Sequence, residues 1–567
     1  MINRGNNRAR PQERNGMALL VVVVLVMLIS LGAYRFSFYM ESQYRLTRLN
    51  EERVHARLAA LSGMELAAAI VEMPAAQRAS LGGLQDNPSI FQHRAIEQLL
   101  ESGSRLEDES VWRFGLLSPR VVDEPGKISN AFSALSGAPS LSMRFGLENE
   151  SAKLHIPTLL AWDGLKPGHA RLTLLALPGL NEASVDTWLR ELGVSTPVDR
   201  NGSQDQVTSL DDIKHVWFGG DLNQNYHLDP LEIRFENQRH GQNRTASLQP
   251  SASLQPSDRS SSTNAFRPLQ RYLTWYSGHR NVTRNGQPRI YLNDPDLRSL
   301  HRNLSMIWSP DWANFVIAMR QFGASSLLGN PLGSPAINLP GAAISGLALG
   351  PTPAQNTSAN IVEDWTPDFG KSAVFSFRGP LELVGAVIEL PATVGAIGPA
   401  NAATLVKRSL RNPFSSDLAS ARNYLGKVLD DVTVDLSPIS EGRIDVTEAS
   451  VEVLAGVPGL DLALAQRIVQ QRNASNSPST TIQERDTIAW LLDTVDLTKL
   501  KELEPYLTCR SDIYSVQAVG YRDNQSAVYR MTATIDACQN PTQLRNRKVW
   551  HPWDRGFSIE QLADSKP

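Results

Sequence analysis

From Met17 to Tyr34 the chain carries no charged residue, and the heart of that run reads Leu-Leu-Val-Val-Val-Val-Leu-Val-Met-Leu-Ile. As a helix at 1.5 Å per residue it spans roughly 27 Å, enough to cross a bilayer. Ahead of it stand Arg4, Arg8, Arg10 and Arg14 against a lone Glu13. That positive flank predicts an amino end held in the cytoplasm and an exported bulk.

Three readings fit such a segment: a cleaved secretory signal, a plain single-pass anchor, and a prepilin-type signal cut after Gly16 so that the apolar run is retained. The residues behind the run separate them. Tyr34-Arg35-Phe36-Ser37-Phe38 replaces the small residues expected after a secretory signal, and no proline occurs from Met17 to Met73. Nothing ends the helix before Pro74. Leu46, Leu49, Val54, Leu58 and Leu61 extend it at helical spacing with charges between them, and Ala59-Ala60-Leu61-Ser62-Gly63 begins a small-residue face suited to close packing on a sheet.

A helix of roughly 85 Å, apolar at first and amphipathic later, resembles the start of a type IV pilin-like subunit. Gly16-Met17 looks like a prepilin peptidase site, with Met17 the methylated mature terminus. The fifth mature position, Glu in most of the family, is Val21 here. That departure resembles the type II secretion minor pseudopilin K family. The resemblance implies an α+β fold: a long N-terminal helix packed on an antiparallel sheet, with a large inserted, mainly α-helical domain holding two helix-hairpin-helix or SAM-like units.

An internal repeat supports the insertion. Leu174-Leu175-Ala176-Leu177-Pro178-Gly179-Leu180-Asn181 and Leu454-Ala455-Gly456-Val457-Pro458-Gly459-Leu460-Asp461 each read as helix, Pro-Gly hairpin, helix. Gly442-Arg443-Ile444-Asp445-Val446-Thr447, before the second copy, is similar to a family Gly-Arg-Ile-Asn-Val-Asn pattern. The segment Glu148 to Pro157 is a looser match to the family's acidic turn. The expected divisions are 1–16 leader; 17–34 transmembrane; 35–150 helix and first strands; 151–240 first unit; 241–265 low-complexity linker; 266–440 variable insertion; 441–508 second unit; and 509–567 closing strands.

Strands are expected at Ser110–Leu117 and Leu141–Leu147, then as a hairpin of Ile513–Tyr521 and Ala527–Ile535, with an edge strand at Val549–Trp553. Within the middle, Asp311–Phe322 reads as a helix, and Val374–Phe377 and Leu381–Leu390 as strands. Ala95–Leu100 reads as a helical turn or two.

Catalytic chemistry finds little footing. The ten histidines form no metalloprotease pair, and Gly370-Lys371-Ser372 lacks the glycines of a phosphate loop. Net charge is −3, which gives no electrostatic case for nucleic acid. Asp461 and Asn181 stand where DNA-binding hairpins often carry a second glycine. An EF-hand-like spacing places Asp221, Asn223, Asn225, Asp229 and Glu232 as side-chain calcium ligands, with His227 at the backbone-carbonyl position; the usual glycine is replaced by Tyr226. Cys509 and Cys538, the only cysteines, lie 14 residues either side of the Asp523-Asn524 turn and read as a cross-strand disulfide in an exported protein.

These readings converge on a non-enzymatic inner-membrane protein with a periplasmic bulk at a pseudopilus tip. Sibling minor pseudopilins, the secretion platform and the prepilin peptidase are the expected partners, with secreted proteins as further candidates. The rivals are a type IV pilus minor pilin and a membrane-anchored helix-hairpin-helix DNA receptor.

Overall fold

The computed structural model describes residues 15–96, 111–119, 143–192 (without 178, 179 and 181), 269–324, 360–394 (without 364), 405–474, 485–522, 528–550, 557 and 562. The fold is mixed α and β, with one dominant helix, α1, running unbroken through Asn15–Glu72. Pro74 follows it, as the absence of any earlier proline predicts.

Around α1 stands a seven-stranded antiparallel sheet. Its members are β1 (Arg94–Ala95), β2 (Trp112–Pro119), β3 (Met143–Phe145), β4 (Glu148–Asn149), β5 (Ile513–Arg522), β6 (Val528–Asp536) and β7 (Gln543–Val549). The order is β1-β2-β5-β6-β7, with β3 pairing β2 and β4 pairing β5. The chain thus places β5 and β6, made near its end, in the middle of a sheet begun by its first strands, Phe114 opposite Gly520.

Both halves of α1 obey their sequence. Every described side chain from Met17 to Glu51 is exposed, whereas Ala56, Ala59, Ala60, Met64, Ala67 and Val71 are fully buried under the sheet. The small-residue face brings backbone to backbone. A Cβ on Gly520 would lie 2.0 Å from the Ala56 carbonyl oxygen and 2.6 Å from the Ala60 nitrogen. On the neighbouring strand, the Phe114 ring fills the space above Gly63, 2.7 Å from where a Cβ would stand. Helix and sheet approach this closely only because both sides lack bulk.

Between β4 and β5 lies the insert, which begins and ends on adjacent rungs: Asn149 pairs with Tyr514. One continuous apolar core runs through it, from Leu154 and Leu174 through Phe315 and Leu425 to Leu454, Ile468 and Leu507. The stretch 266–440 therefore shares a core with the segments on either side. It contributes helices Leu297–Ile307, Pro310–Phe322 and Leu418–Asp431. An aromatic cluster of Trp308, Trp312, Phe414 and Tyr424 joins them, with Trp312 and Phe414 ring centroids 4.8 Å apart.

The repeat is longer than its hairpins. Helices α2 (His169–Ala176) and α3 (Glu182–Glu191) flank the first Pro-Gly pair, and α4 (Val451–Ala455) and α5 (Leu462–Ala474) the second. Before each pair a short strand runs parallel to a Tyr-Leu-Thr segment. Leu154–His155 pairs with Leu273–Thr274, and Ile444–Asp445 with Leu507–Thr508. The Leu154 N–H donates to Tyr272 O and the Ile444 N–H to Tyr506 O, each at 2.8 Å. Tyr272-Leu273-Thr274-Trp275-Tyr276-Ser277 and Tyr506-Leu507-Thr508-Cys509-Arg510-Ser511 are thus matched in sequence and in position. In both, the threonine hydroxyl accepts from the N–H two residues on, at 3.0 and 3.2 Å. The copies meet at glycines. Gly442, with φ of 72°, leaves no room for a side chain beside Thr158, and Gly456 receives the Thr173 methyl while its carbonyl accepts from His169 Nε2 at 2.9 Å.

Several expected elements differ. Ala95, where a helical turn is expected to begin, lies in a short edge strand, Arg94–Ala95, and residues 97–100 of that expected turn lie outside the described residues. Val374–Phe377 forms no strand, because Val374 and Phe375 N–H groups both donate to the Arg320 carbonyl. Pro380–Leu383 is a 3-10 turn, and the strand begins only at Ile388. The edge strand β7 ends at Val549, where the expected one begins.

Replacing Gly520 by Val is expected to destabilise the fold by about 1–3 kcal/mol or more, because its Cβ meets helix backbone that cannot rotate away. Thermal denaturation checks this; an unchanged melting temperature would contradict the close approach.

Candidate functional site

The most distinctive chemical surface is the bare half of α1. It is the one helix among the described residues long and apolar enough to cross a membrane, and none of its most apolar window is buried within the subunit. Length and composition suit an anchor or a signal segment equally. Gly16 and Met17 lie in its first turn, and Met17 and Val21 are exposed, at 75% and 59%.

At the other end of α1, charged groups fasten the helix to the insert. Arg280 Nη1 donates to the Glu72 carbonyl at 3.0 Å, supplying a cation where helix carbonyls run out of partners. Its Nη2 reaches Asp512 Oδ1 at 3.2 Å, and its backbone N–H donates to Asp512 Oδ2 at 2.7 Å. Arg78, just past α1, donates to Asp512 Oδ1 at 2.8 Å and to the Ser511 carbonyl at 2.9 Å. Burial alone raises a carboxyl's pKa, but Arg78 and Arg280 together hold Asp512 below the usual carboxylate range.

A second buried cluster joins the sheet to the second repeat. Asn149 donates to Asp445 Oδ2 at 2.7 Å and to Glu448 Oε1 at 3.1 Å, while its own Oδ1 accepts the Ser151 N–H at 2.9 Å. Arg144 stands 3.9 Å from Glu448. Burial raises both carboxyls. For Asp445, hydrogen bonds from Thr447 and Asn149 oppose the rise; Glu448 is pushed up to about 7 against the pull of Arg144, with Asp445 adding to the rise. Nearby, Lys153 pairs with Glu150 at 2.8 Å and Glu148 at 3.2 Å, and Glu150 also accepts from Thr274 and Ser515 hydroxyls. The two matched serines, Ser277 and Ser511, both donate toward Ser151 Oγ, at 3.4 and 3.0 Å. The sequence singled out both the 148–157 and 442–450 segments, but not their meeting through Asn149. The repeated Tyr-Leu-Thr-x-x-Ser segment was the signal that would have revealed it.

The expected disulfide is absent: Cys509 and Cys538 are free. Their symmetry about the turn is two residues out of register, since Ile513 pairs with Asp536 and the ladder would set Asn540 opposite Cys509. By then the chain has also left the sheet, because Leu507–Thr508 pairs with Ile444–Asp445 inside the insert. Cys509 packs against the insert core, whereas Cys538 lies against Gly278. Burial raises both thiols well above their ordinary pKa.

At the second hairpin, Asp461 caps α5, its Oδ1 accepting the Leu464 N–H at 2.7 Å. The carboxylate occupies a helix N-terminus where a phosphate would otherwise be received. The loop carrying Asp221, Asn223, Asn225, His227, Asp229 and Glu232 lies outside the described residues. Among the described residues no group of three or more His, Cys, Asp or Glu is arranged to hold a metal ion.

No protein-family model matches the chain, and neither does a curated protein or a solved structure.

A carboxyl whose pKa is raised by folding stabilises the fold below its unfolded pKa and loses that contribution as pH rises through the folded value. For Glu448 the window runs from about 4.5 to about 7. Stability is expected to fall across that range, and the fall should shrink in Glu448→Gln. Melting temperatures measured from pH 4.5 to 8 test it; identical profiles for the two proteins would assign the dependence elsewhere.

Proposed function

We propose that this chain is a minor pseudopilin of a type II secretion system, K-like, anchored in the inner membrane by α1 and seated at the distal tip of the pseudopilus. The observation that carries the reading is α1 itself. One helix of 58 residues has a bare apolar half and a distal half clamped under an antiparallel sheet. A subunit built this way offers its apolar half first to lipid and then to the helices of sibling subunits. On this reading its role is assembly and not catalysis, with minor pseudopilins and the inner-membrane platform as partners.

Tip placement rests on Val21. In a filament of such helices, a carboxylate at the fifth mature position compensates a neighbour's charged amino terminus, and burying an ammonium without one costs several kcal/mol. A subunit with Val21 offers no carboxylate to a subunit above it, which suits the first position. Met17 can still engage the Glu of a sibling. The bulky insert is also easier to accommodate at an end than along a shaft. The Asp461 cap gives the DNA-receptor reading no support.

The mature protein is expected to begin at N-methylated Met17, measured as intact mass after purification from membranes of cells carrying the peptidase. A mass matching cleavage near Tyr34 would overturn the retained-helix reading. Immunogold labelling is expected at one filament end; label along the shaft would overturn tip placement.

Calcium belongs to the same proposal, held by Asp221, Asn223, Asn225, Asp229 and Glu232 with the His227 carbonyl. Chelation is expected to lower the melting temperature, and Asp221→Ala or Glu232→Ala to remove most of that response. Calorimetry showing no heat at millimolar calcium would dismiss the site.

A further inference from the structure

Where the insert meets the sheet there is a partly open cavity of about 110 Å3. One water needs only about 10–15 Å3, so a head group of several atoms has room here. The floor is Ile439, Ile513 and Cys538, which converge on Gly278. One wall is aromatic, Trp275 with Tyr276. Among the described tryptophans Trp275 alone is exposed, at 46%. Its backbone is held from below: His155 Nε2 donates to the Trp275 carbonyl at 3.2 Å, while His155 Nδ1 accepts from the Thr158 hydroxyl at 2.8 Å. The repeat itself does not demand this wall. In the second copy the matched positions are Cys509, packed against the insert core, and Arg510, buried and paired with Asp430.

The charged side chains facing the cavity are Glu441, Asp536 and Arg545. Asp536 is buried, pairs with Arg545 at 2.9 Å and accepts the Cys538 N–H at 3.0 Å. His155 adds no charge, since its ring serves as one donor and one acceptor and burial lowers its pKa against the pull of Glu441. Glu441 is left. It ends the Ile439–Glu441 strand opposite Gly278, exposed and without an ion-pair partner among the described residues. The adjoining junction does not answer it, because there Arg78, Arg280 and Lys153 face Asp512, Glu148 and Glu150, three against three. An exposed indole face and a carboxylate without a counter-ion, lining one cavity, suit an organic cation.

We infer that this cavity receives one guanidinium group, the end of an arginine side chain from a partner protein, stacked on Trp275 and paired with Glu441. A guanidinium fits better than an ammonium: it is planar and weakly hydrated, so it can lie on the ring while its fork meets both carboxylate oxygens. A side chain fits better than free arginine, which would bring a carboxylate of its own. Arg545 is the one cation lining the cavity, and Asp536 already holds it. The site rests on these residues alone and stands or falls separately from the secretion reading.

The probe is N-acetylarginine amide, whose guanidinium is its sole charge. The full-length protein in detergent is labelled with fluorotryptophan, and the fluorine NMR signal of Trp275 is assigned as the one lost in Trp275→Phe. That signal is expected to shift saturably as the probe is added. Glu441→Gln should weaken binding about tenfold, as loss of a charge-assisted pair does. Glu363→Gln, which removes the exposed Arg411–Glu363 pair, should leave binding unchanged. A Trp275 signal that does not move, or binding undiminished in Glu441→Gln, would overturn the site. Equal binding of N-acetyllysine amide would overturn the choice of guanidinium, and tighter binding of free arginine would overturn the protein-borne source.

Discussion

Asp512 is where three separate parts of the chain are made one body. Its carboxylate receives Arg78 from the segment after α1 and Arg280 from the insert, and it stands one residue before the central strand β5. Its backbone serves the same junction, with its N–H donating to the Gly278 carbonyl at 3.0 Å and its carbonyl accepting the Ala537 N–H at 2.9 Å. Arg280 meanwhile closes the carbonyl end of α1. Losing this carboxylate would strand the buried guanidinium of Arg78 and take a partner from half-buried Arg280, and breaking such a buried pair costs on the order of 3–5 kcal/mol. A hydrophobic contact could supply comparable energy but not the orientation. Directional bonds at Asp512 fix the angle at which the insert leaves the sheet.

The second cluster works with weaker charge and stronger geometry. Asn149 is neutral, yet it spends both amide protons on carboxylates from the insert and its oxygen on its own chain. Because Asp445 and Glu448 are buried side by side, an amide donor suits the protonated or the ionised state of either. The insert is thus held at two polar junctions of different character, with Asp512 ionised and Glu448 close to the boundary between its two forms.

Long-range periodicity was legible in the sequence, and partner choice was not. An uncharged run without proline predicted α1, and strand-like composition predicted β2, β5 and β6, although these strands are buried along most of their length on both faces. The two Pro-Gly segments were visible as a sequence repeat, and the matched stretch also takes in Tyr272–Ser277 and Tyr506–Ser511. Val374–Phe377 has strand composition yet spends its N–H groups on Arg320, a choice made by tertiary packing. The cysteine pairing failed for a related reason: counting from a turn assumes that the strand continues, whereas the chain turns into the insert before Ile513.

Phe114 pairs with Gly520, and this governs the order of events as the chain emerges. Strand β2 appears early in synthesis, while the strand that must lie beside it waits until almost everything else has been made. Through that interval the distal face of α1 and one edge of β2 lack their covering, and the whole insert has to be threaded out before the sheet closes. Contacts so distant in sequence make closure slow and leave a sticky intermediate. On the proposed reading of α1 as a membrane anchor, that tether has a second use for the nascent chain: it holds an unfinished domain in place, away from its fellows, until the closing strands arrive.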